Sequence, residues 1–550
     1  MLNHFLFRRV RLRRFVFAVA FAALFALFSA ASLAAQVPAA ESGPTADRGR
    51  ILLVLPFDNR TGQPSLDWIR EAAADLLSTR FASVGFAPMT RADRMYALDH
   101  LGLPQGFQPS RASSLKLAQT LDADSIIVGS YSTSGNQIVA EVQLLDVPHL
   151  HMAAAVTARG EMQDMIAVFD SLAWKLTREL DPSLNVSEET FIAAGRGLRL
   201  DAYEQYIRGI TEPDQAERLR HLQQSVKLSP GFSPAWMALG REEYQSQQYD
   251  QAVQAFGKVD RNGSDGLEAS FYRGLSQLFS GDYPQAEQAF AGIARILPLA
   301  EVVNNEGVAV SRQGHDGTAL FVQAASADPK AADYHFNLAV SLKRHGKTTS
   351  ALNELAQCLK LRPSDGEAQT LAAAWRTSTV AQTTNEADPP AGADPLERIE
   401  RTFDEAAFRQ AAVMLDQMDA ARLAALSPRD RALKLSMQAK GFLDRGLLLE
   451  ADRLYQSAVS ADSRVAEAHV GLAQVRERAG DNAAARQEAH AALELAPSVD
   501  AYLVLGRLDL ADNHLSDAKS EASEALKIDP ANQAGQELLR QVLARSGQSQ

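Results

Sequence analysis

Residues 235–256 read AWMALGREEYQSQQYDQAVQAF, and they decide the fold class because their pattern returns. It comes back as YRGLSQLFSGDYPQAEQAF (272–290), HFNLAVSLKRHGKTTSALNEL (335–355), HVGLAQVRERAGDNAAARQEA (469–489) and YLVLGRLDLADNHLSDAKSEA (502–522). Each stretch carries a small residue in its first half: Gly240, Gly274, Ala339, Ala473 and Gly506. Each has an alanine twelve residues later: Ala252, Ala286, Ala351, Ala485 and Ala518. Pro298, Pro363, Pro497 and Pro530 close several units. Paired small residues let two helices approach closely, and a proline cannot continue a helix, so it resets the chain for the next unit. Self-similarity at a fixed period predicts a helical array.

The pattern resembles the tetratricopeptide repeat, a helix–turn–helix unit, most fully at Trp236, Leu239, Gly240, Ala252 and Phe256. Weaker units fall at 201–230, 299–329 and 396–428, for about nine in all. A polar stretch with Pro389-Pro390, residues 376–395, predicts a flexible linker. The expected array is thus block 1 (190–375), the linker, block 2 (396–530) and a capping helix with tail (531–550). The resemblance implies partner binding on a concave face built from first helices. By register that face would include Met237, Arg241, Tyr244, Phe336, Val340, Lys343, Arg344, Val470, Gln474, Glu477, Leu503, Arg507 and Leu510. Such a mixture of apolar, aromatic and charged residues suits a peptide or protein segment. Asp333, Phe336 and Val340 stand where the chaperone-binding subclass carries its carboxylate clamp, so that specificity is not expected.

Residues 50–182 alternate strand and helix patterns. The continuous apolar run ILLVLPF (51–57) predicts a buried strand, and SLDWIREAAADLLSTRFAS (65–83) an amphipathic helix capped by Ser65. A short strand at GFAPMT, two helices, a three-stranded meander over DSIIVGSYSTSG, NQIVAEVQLLDV and HLHMAAAVTARG, and a closing helix at 162–180 complete the region. VLPFDNRTG, LDWIREAAADLLSTRF, LDADSIIVGSY and AEVQLLDV resemble the TolB-like N-terminal domain of bacterial envelope proteins. That resemblance implies a role in envelope assemblies rather than catalysis. The expected fold class is multidomain: a small α/β (α+β) N-terminal domain followed by an all-α helical-repeat solenoid.

Arg8, Arg9, Arg11, Arg13 and Arg14 precede the apolar run FVFAVAFAALFALF (15–28) and a small-residue exit, so residues 1–34 read as an export signal and 35–49 as a flexible leader. The alternative is a retained anchor helix over 15–35, and an uncleaved signal would be the only expected membrane contact. No cysteine lies near the expected cleavage point, which speaks against a lipid-modified anchor. The expected location is periplasmic. Formal net charge is −12, and nearer −17 without those five arginines, which disfavours nucleic-acid binding. Cys358 is the single cysteine, so no internal disulfide is available.

Candidates for chemistry are few. The corner at 57–65 has one glycine, Gly62, and no lysine, which fits a turn better than a phosphate loop. His149 and His151 would share one face of a strand but lack a third ligand. Cys358 reads as a core thiol. No catalytic, cofactor or metal site is nominated. The competing expectation is a ligand-sensing or enzymatic N-terminal domain with the repeats as a targeting module.

Overall fold

The structure, a computed structural model, describes residues 51–104, 110–384, 395–403 and 418–548, with Phe408 and Met414. The expected signal and leader (1–49) lie outside the described residues. The molecule is a small α/β domain followed by a long run of paired helices.

In the first domain β1 (Ile51–Val54) lies between β3 (Ala87–Pro88) and β4 (Ser125–Ser134), parallel to both. β2 (Asp58–Asn59) extends the β4 edge in parallel. β5 (Gln137–Asp146) then runs antiparallel to β4, and β6 (His151–Met152) and β7 (Val156–Glu161) pair antiparallel with β5. The apolar run of β1 is buried on both faces. Leu52 and Val54 enter the core with α1 (Trp68–Ser83) and α4 (Met165–Leu180); Leu53 and Leu55 enter the other, with α2 (Arg91–His100) and α3 (Arg111–Leu121). Buried Arg80 of α1 donates to Asp170 of α4 at 2.7 Å and ties the two helices.

Two local expectations are corrected. Pro64–Leu66 forms a 3₁₀ turn and α1 begins at Trp68, so Ser65 is not its cap. The third meander strand is broken, because Leu150 takes φ 52° and a turn closes on Asp146, which accepts from His149 N–H at 3.0 Å. His149 is therefore in a turn and shares no strand face with His151.

Among the described residues eight antiparallel helix pairs follow, the first Leu200–Thr211 with Gln215–Leu228 and the last Val499–Ala511 with Leu515–Ile528; Gln533–Gln548 covers the end. The small residues act as expected. A Cβ on Gly240 would stand 2.7 Å from the Phe256 ring, and one on Gly274 2.8 Å from Phe290. Each ring comes from the second helix of its own pair and fills the space a side chain would take. Gly240→Val is expected to cost about 1–3 kcal/mol through overpacking, seen as a lower urea midpoint with unchanged slope.

A second periodic device was not read from the sequence. Near the start of five helices, a side chain donates to the backbone carbonyl six residues earlier. The donors are Trp236 to Pro230 (2.8 Å), His335 to Pro329 (3.2 Å), Gln369 to Pro363 (2.7 Å), His469 to Ser463 (3.0 Å) and Gln536 to Pro530 (2.9 Å). The acceptor lies in the turn just after the preceding helix, where carbonyls lack helical partners. Tryptophan, histidine and glutamine share only the reach and the N–H, so the feature is invisible as a residue identity.

The segment between the blocks departs from expectation. Helix Gly366–Thr384 continues into the predicted linker, anchored by buried Ala368, Ala372 and Trp375; residues 385–394 lie outside the described residues. Residues 396–403, expected to open the first paired-helix unit of block 2, instead have no helical or strand assignment and, with Pro395, lie along block 1, because the asparagines there satisfy their backbone. Block 2 packs on α5 (Glu188–Ala194), with Ala193 among Ala439, Leu443, Leu448 and Val475. Leu449 joins the core of the first domain. Gln456 donates to the Asn185 carbonyl (2.8 Å) and Arg445 to that of Asn262 (2.8 Å). Among the described residues no helix is long and apolar enough to cross a membrane.

Candidate peptide-binding groove

The inner helices Ala300–Arg312 and Ala332–Arg344 carry three asparagines, Asn304, Asn305 and Asn337, each 0% exposed. A buried amide is costly unless its donors and acceptor are satisfied. Here the partner is the backbone of the chain's own residues 398–400. Arg398 N–H donates to Asn337 Oδ1 at 2.6 Å, and Asn337 Nδ2 donates to the Arg398 carbonyl at 2.7 Å. Two residues on, Glu400 N–H donates to Asn305 Oδ1 (2.9 Å) and Asn305 Nδ2 to the Glu400 carbonyl (2.8 Å). Asn304 braces the ladder, accepting from Asn337 at 2.8 Å and donating to the Arg398 carbonyl at 3.3 Å. Both backbone groups of residues i and i+2 are read, as a neighbouring strand would read them.

Side-chain sites flank the ladder. Glu397, 3% exposed, meets Arg344, Arg312 and the Ser311 hydroxyl; Arg344 also donates to the Pro395 carbonyl at 2.7 Å. Arg398 turns the other way. Its guanidinium lies 3.6 Å from the centroid of the Phe336 ring and bonds Asp333 (2.8 Å), Asp365 (2.6 Å) and Glu367 (2.9 Å). Arg401 lies over Phe279, and Phe403 packs in tilted ring contacts with Phe271, Tyr272 and Phe408.

Hydrogen bonds from Arg398 push the Asp365 carboxyl down to about 2. Burial works against Asp333, yet bonds from Arg362 and Arg398 hold it below the usual carboxylate range. Depressed carboxylates contribute above their free pKa and lose that contribution as pH falls through the docked value. Docking of 395–403 is therefore expected to be unchanged from about pH 8 to pH 5, to weaken as pH falls below about 4, and to lose the carboxylate contribution by about pH 2. A spin label at the exposed Leu396 would report it as increased mobility.

The expected groove residues divide. Phe336 and Arg344 touch the docked segment. Lys343 donates to Thr348 at 3.3 Å. Tyr244 belongs to an aromatic group with Tyr249, Tyr272 and Phe279. Arg241 is paired with Glu268. Met237, Val340, Val470 and Leu503 are buried packing residues. In block 2 Arg507 forms a two-pronged ion pair with Glu477 at 2.5 and 2.6 Å, Gln474 is half-buried nearby in sequence, and the Leu510 carbonyl accepts from Arg545. The three asparagines escaped the sequence reading. Their signal was polar residues in otherwise apolar first helices, at VVNNEG and FNLAV.

At the 57–65 corner Asn59 bonds within the turn and to the start of the helix that follows. Asn59 Nδ2 donates to Asp67 (2.6 Å) and the Gln63 carbonyl (3.0 Å), while Asn59 Oδ1 accepts from Thr61 N–H (2.9 Å). Cys358 is fully buried, and burial pushes its thiol up to about 11. Among the described residues no three His, Cys, Asp or Glu side chains are grouped to hold a metal.

Residues 237–301 and 436–500 match the tetratricopeptide repeat family model. The chain thus carries tetratricopeptide repeats in both blocks, and it is a protein-interaction scaffold of that type. No curated protein matches it. Among solved structures it is similar to YrrB, described as a repeat protein with an unusual peptide-binding site, at 15% identity over 37% of this chain and 99% of that one, TM-score 0.28. It is similar to MamA from Desulfovibrio magneticus RS-1 at 19% identity over 31% of this chain and 99% of that one, TM-score 0.28. It is also similar to the LpoB C-terminal domain from Salmonella enterica at 21% identity over 22% of this chain and 88% of that one, TM-score 0.20. At such scores no argument rests on these likenesses.

Proposed function

We propose that the protein is an exported, non-enzymatic scaffold of the bacterial cell envelope whose block 1 groove binds an extended segment of a partner protein. The observation that carries this reading is the asparagine ladder, which grips both backbone groups at residues 398 and 400. A groove that reads backbone is built for extended chain, whatever its side chains. The export pattern of residues 1–34 supports the location, and the TolB-like motifs of 50–182 support a second contact within an envelope assembly. The rival reading places a ligand-sensing or enzymatic site within residues 50–182, with the repeats as a targeting module; the self-satisfied bonds of Asn59 speak against a ligand at the 57–65 corner of that domain.

In-cell cross-linking followed by capture from the cell envelope tests the proposal. A protein should be recovered with the natural chain and lost with Asn337→Ala. If small molecules alone shift the melting and no protein is recovered, the reading fails.

A further inference from the structure

The groove of block 1 is filled by the chain itself. We propose that residues 395–403 are a tethered placeholder, and that the groove's external partner is an extended segment with glutamate followed directly by arginine, which displaces them. This rests on the scaffold reading above and deepens it by naming the partner's chemistry.

Three observations carry the inference. The ladder fixes only backbone at residues 398 and 400, so another extended chain satisfies it equally. Selection must then come from the flanking side-chain sites, and these are of opposite sign on successive residues. Arg312, Arg344 and Ser311 enclose one carboxylate; Asp333, Asp365, Glu367 and the Phe336 face enclose one guanidinium. A planar cation suits both the carboxylates and the ring, which favours arginine over lysine at the second site. Finally, beside the segment lies an open cleft of about 560 Å³ lined by Phe279, Tyr283, Arg312 and Arg401. It gives an incoming chain a place to begin exchange.

A tethered ligand competes at an effective concentration of about 1 mM, so a free peptide of the same sequence meets an apparent Kd near that value wherever its intrinsic Kd lies well below it. Weakening the tethered copy removes the competition.

The test uses the full chain and a fluorescein-labelled peptide, PLERIERTF, identical to residues 395–403. Anisotropy should show at least tenfold tighter binding to the Glu397→Ala/Arg398→Ala chain than to the natural one. A peptide with its first glutamate and arginine exchanged should bind at least tenfold more weakly, and adding Asn337→Ala to the variant should abolish binding. A folded double variant that ignores the peptide would make the segment a permanent brace and overturn the proposal. So would conversion of that variant to a dimer on light scattering, which would assign the groove to a second copy. If the double variant does not fold, the natural chain decides. Millimolar peptide should accelerate hydrogen exchange at 398–400, and unchanged exchange overturns the idea. The two readings fail separately. A partner captured in cells without peptide exchange sinks only the placeholder, and peptide exchange without any captured protein sinks only the cellular scaffold role.

Discussion

Asn337→Leu should set residues 395–403 free. The asparagine is 0% exposed and makes two bonds to Arg398 and one to Asn304, at 2.6, 2.7 and 2.8 Å. Leucine offers a similar volume and neither donor nor acceptor. Each lost bond removes about 1 kcal/mol net, and if the segment stayed the Arg398 amide would be stranded and its carbonyl left with only the 3.3 Å bond from Asn304. Leaving for water is the cheaper outcome. The expected loss of docking is about 2–3 kcal/mol, or roughly 30- to 150-fold faster hydrogen exchange at Arg398 and Glu400. Leu396→Ala, at a residue 60% exposed, should leave exchange unchanged. Equal protection in the Asn337 variant would show that the charged sites alone hold the segment.

A comparable effect is expected from Arg80→Leu. Asp170 is 0% exposed and takes Arg80 Nε at 2.7 Å and Nη2 at 3.5 Å. Behind them a Cβ on Gly195 would stand 2.3 Å from Asp170 Oδ2, so the site has no room for a compensating side chain. Removing one partner of a buried ion pair strands the other and costs about 3–5 kcal/mol. Replacing both with apolar residues of similar volume is often neutral or better. Denaturant unfolding of Arg80→Leu, Asp170→Leu and the double variant should therefore show two large losses and a recovery of most of the difference. Additive losses would overturn the argument. The core that includes α1 and α4 also contains Tyr203, Ile207 and Leu449, so the loss should register in the repeats as well as in the first domain.

What the sequence made legible follows from which forces are local. The strand at 51–57 and the helix pairs declare themselves because burial on a regular element leaves a periodic trace, and the Gly240–Phe256 and Gly274–Phe290 contacts lie within one repeat. The groove ligand left no such trace. LERIERTF has a charge at alternate and adjacent positions, and read alone it looks like the solvated face of a helix. It is extended because Asn305 and Asn337, 95 and 61 residues away, supply what a helix's own backbone would have supplied. The groove register included Phe336 and Arg344, which touch the docked segment, but passed over Asn337 beside Phe336 and Asn304 and Asn305 one repeat earlier, whose role exists only with the segment in place.

Block 2 returns to α5 and to the loop carrying Asn262. A repeat array held only by neighbour contacts is a soft spring, since small rotations at each junction add up along its length. This array is clamped, with Ala193, ahead of the first helix pair, meeting Ala439 of block 2. Rotations at the intervening junctions must then nearly cancel, and the bending modes that would widen or narrow the groove are stiffened. Local packing sets the spacing between Asn305 and Asn337, and the closure of the chain damps its fluctuation, so a mutation at the α5 contact is expected to loosen a groove it does not touch.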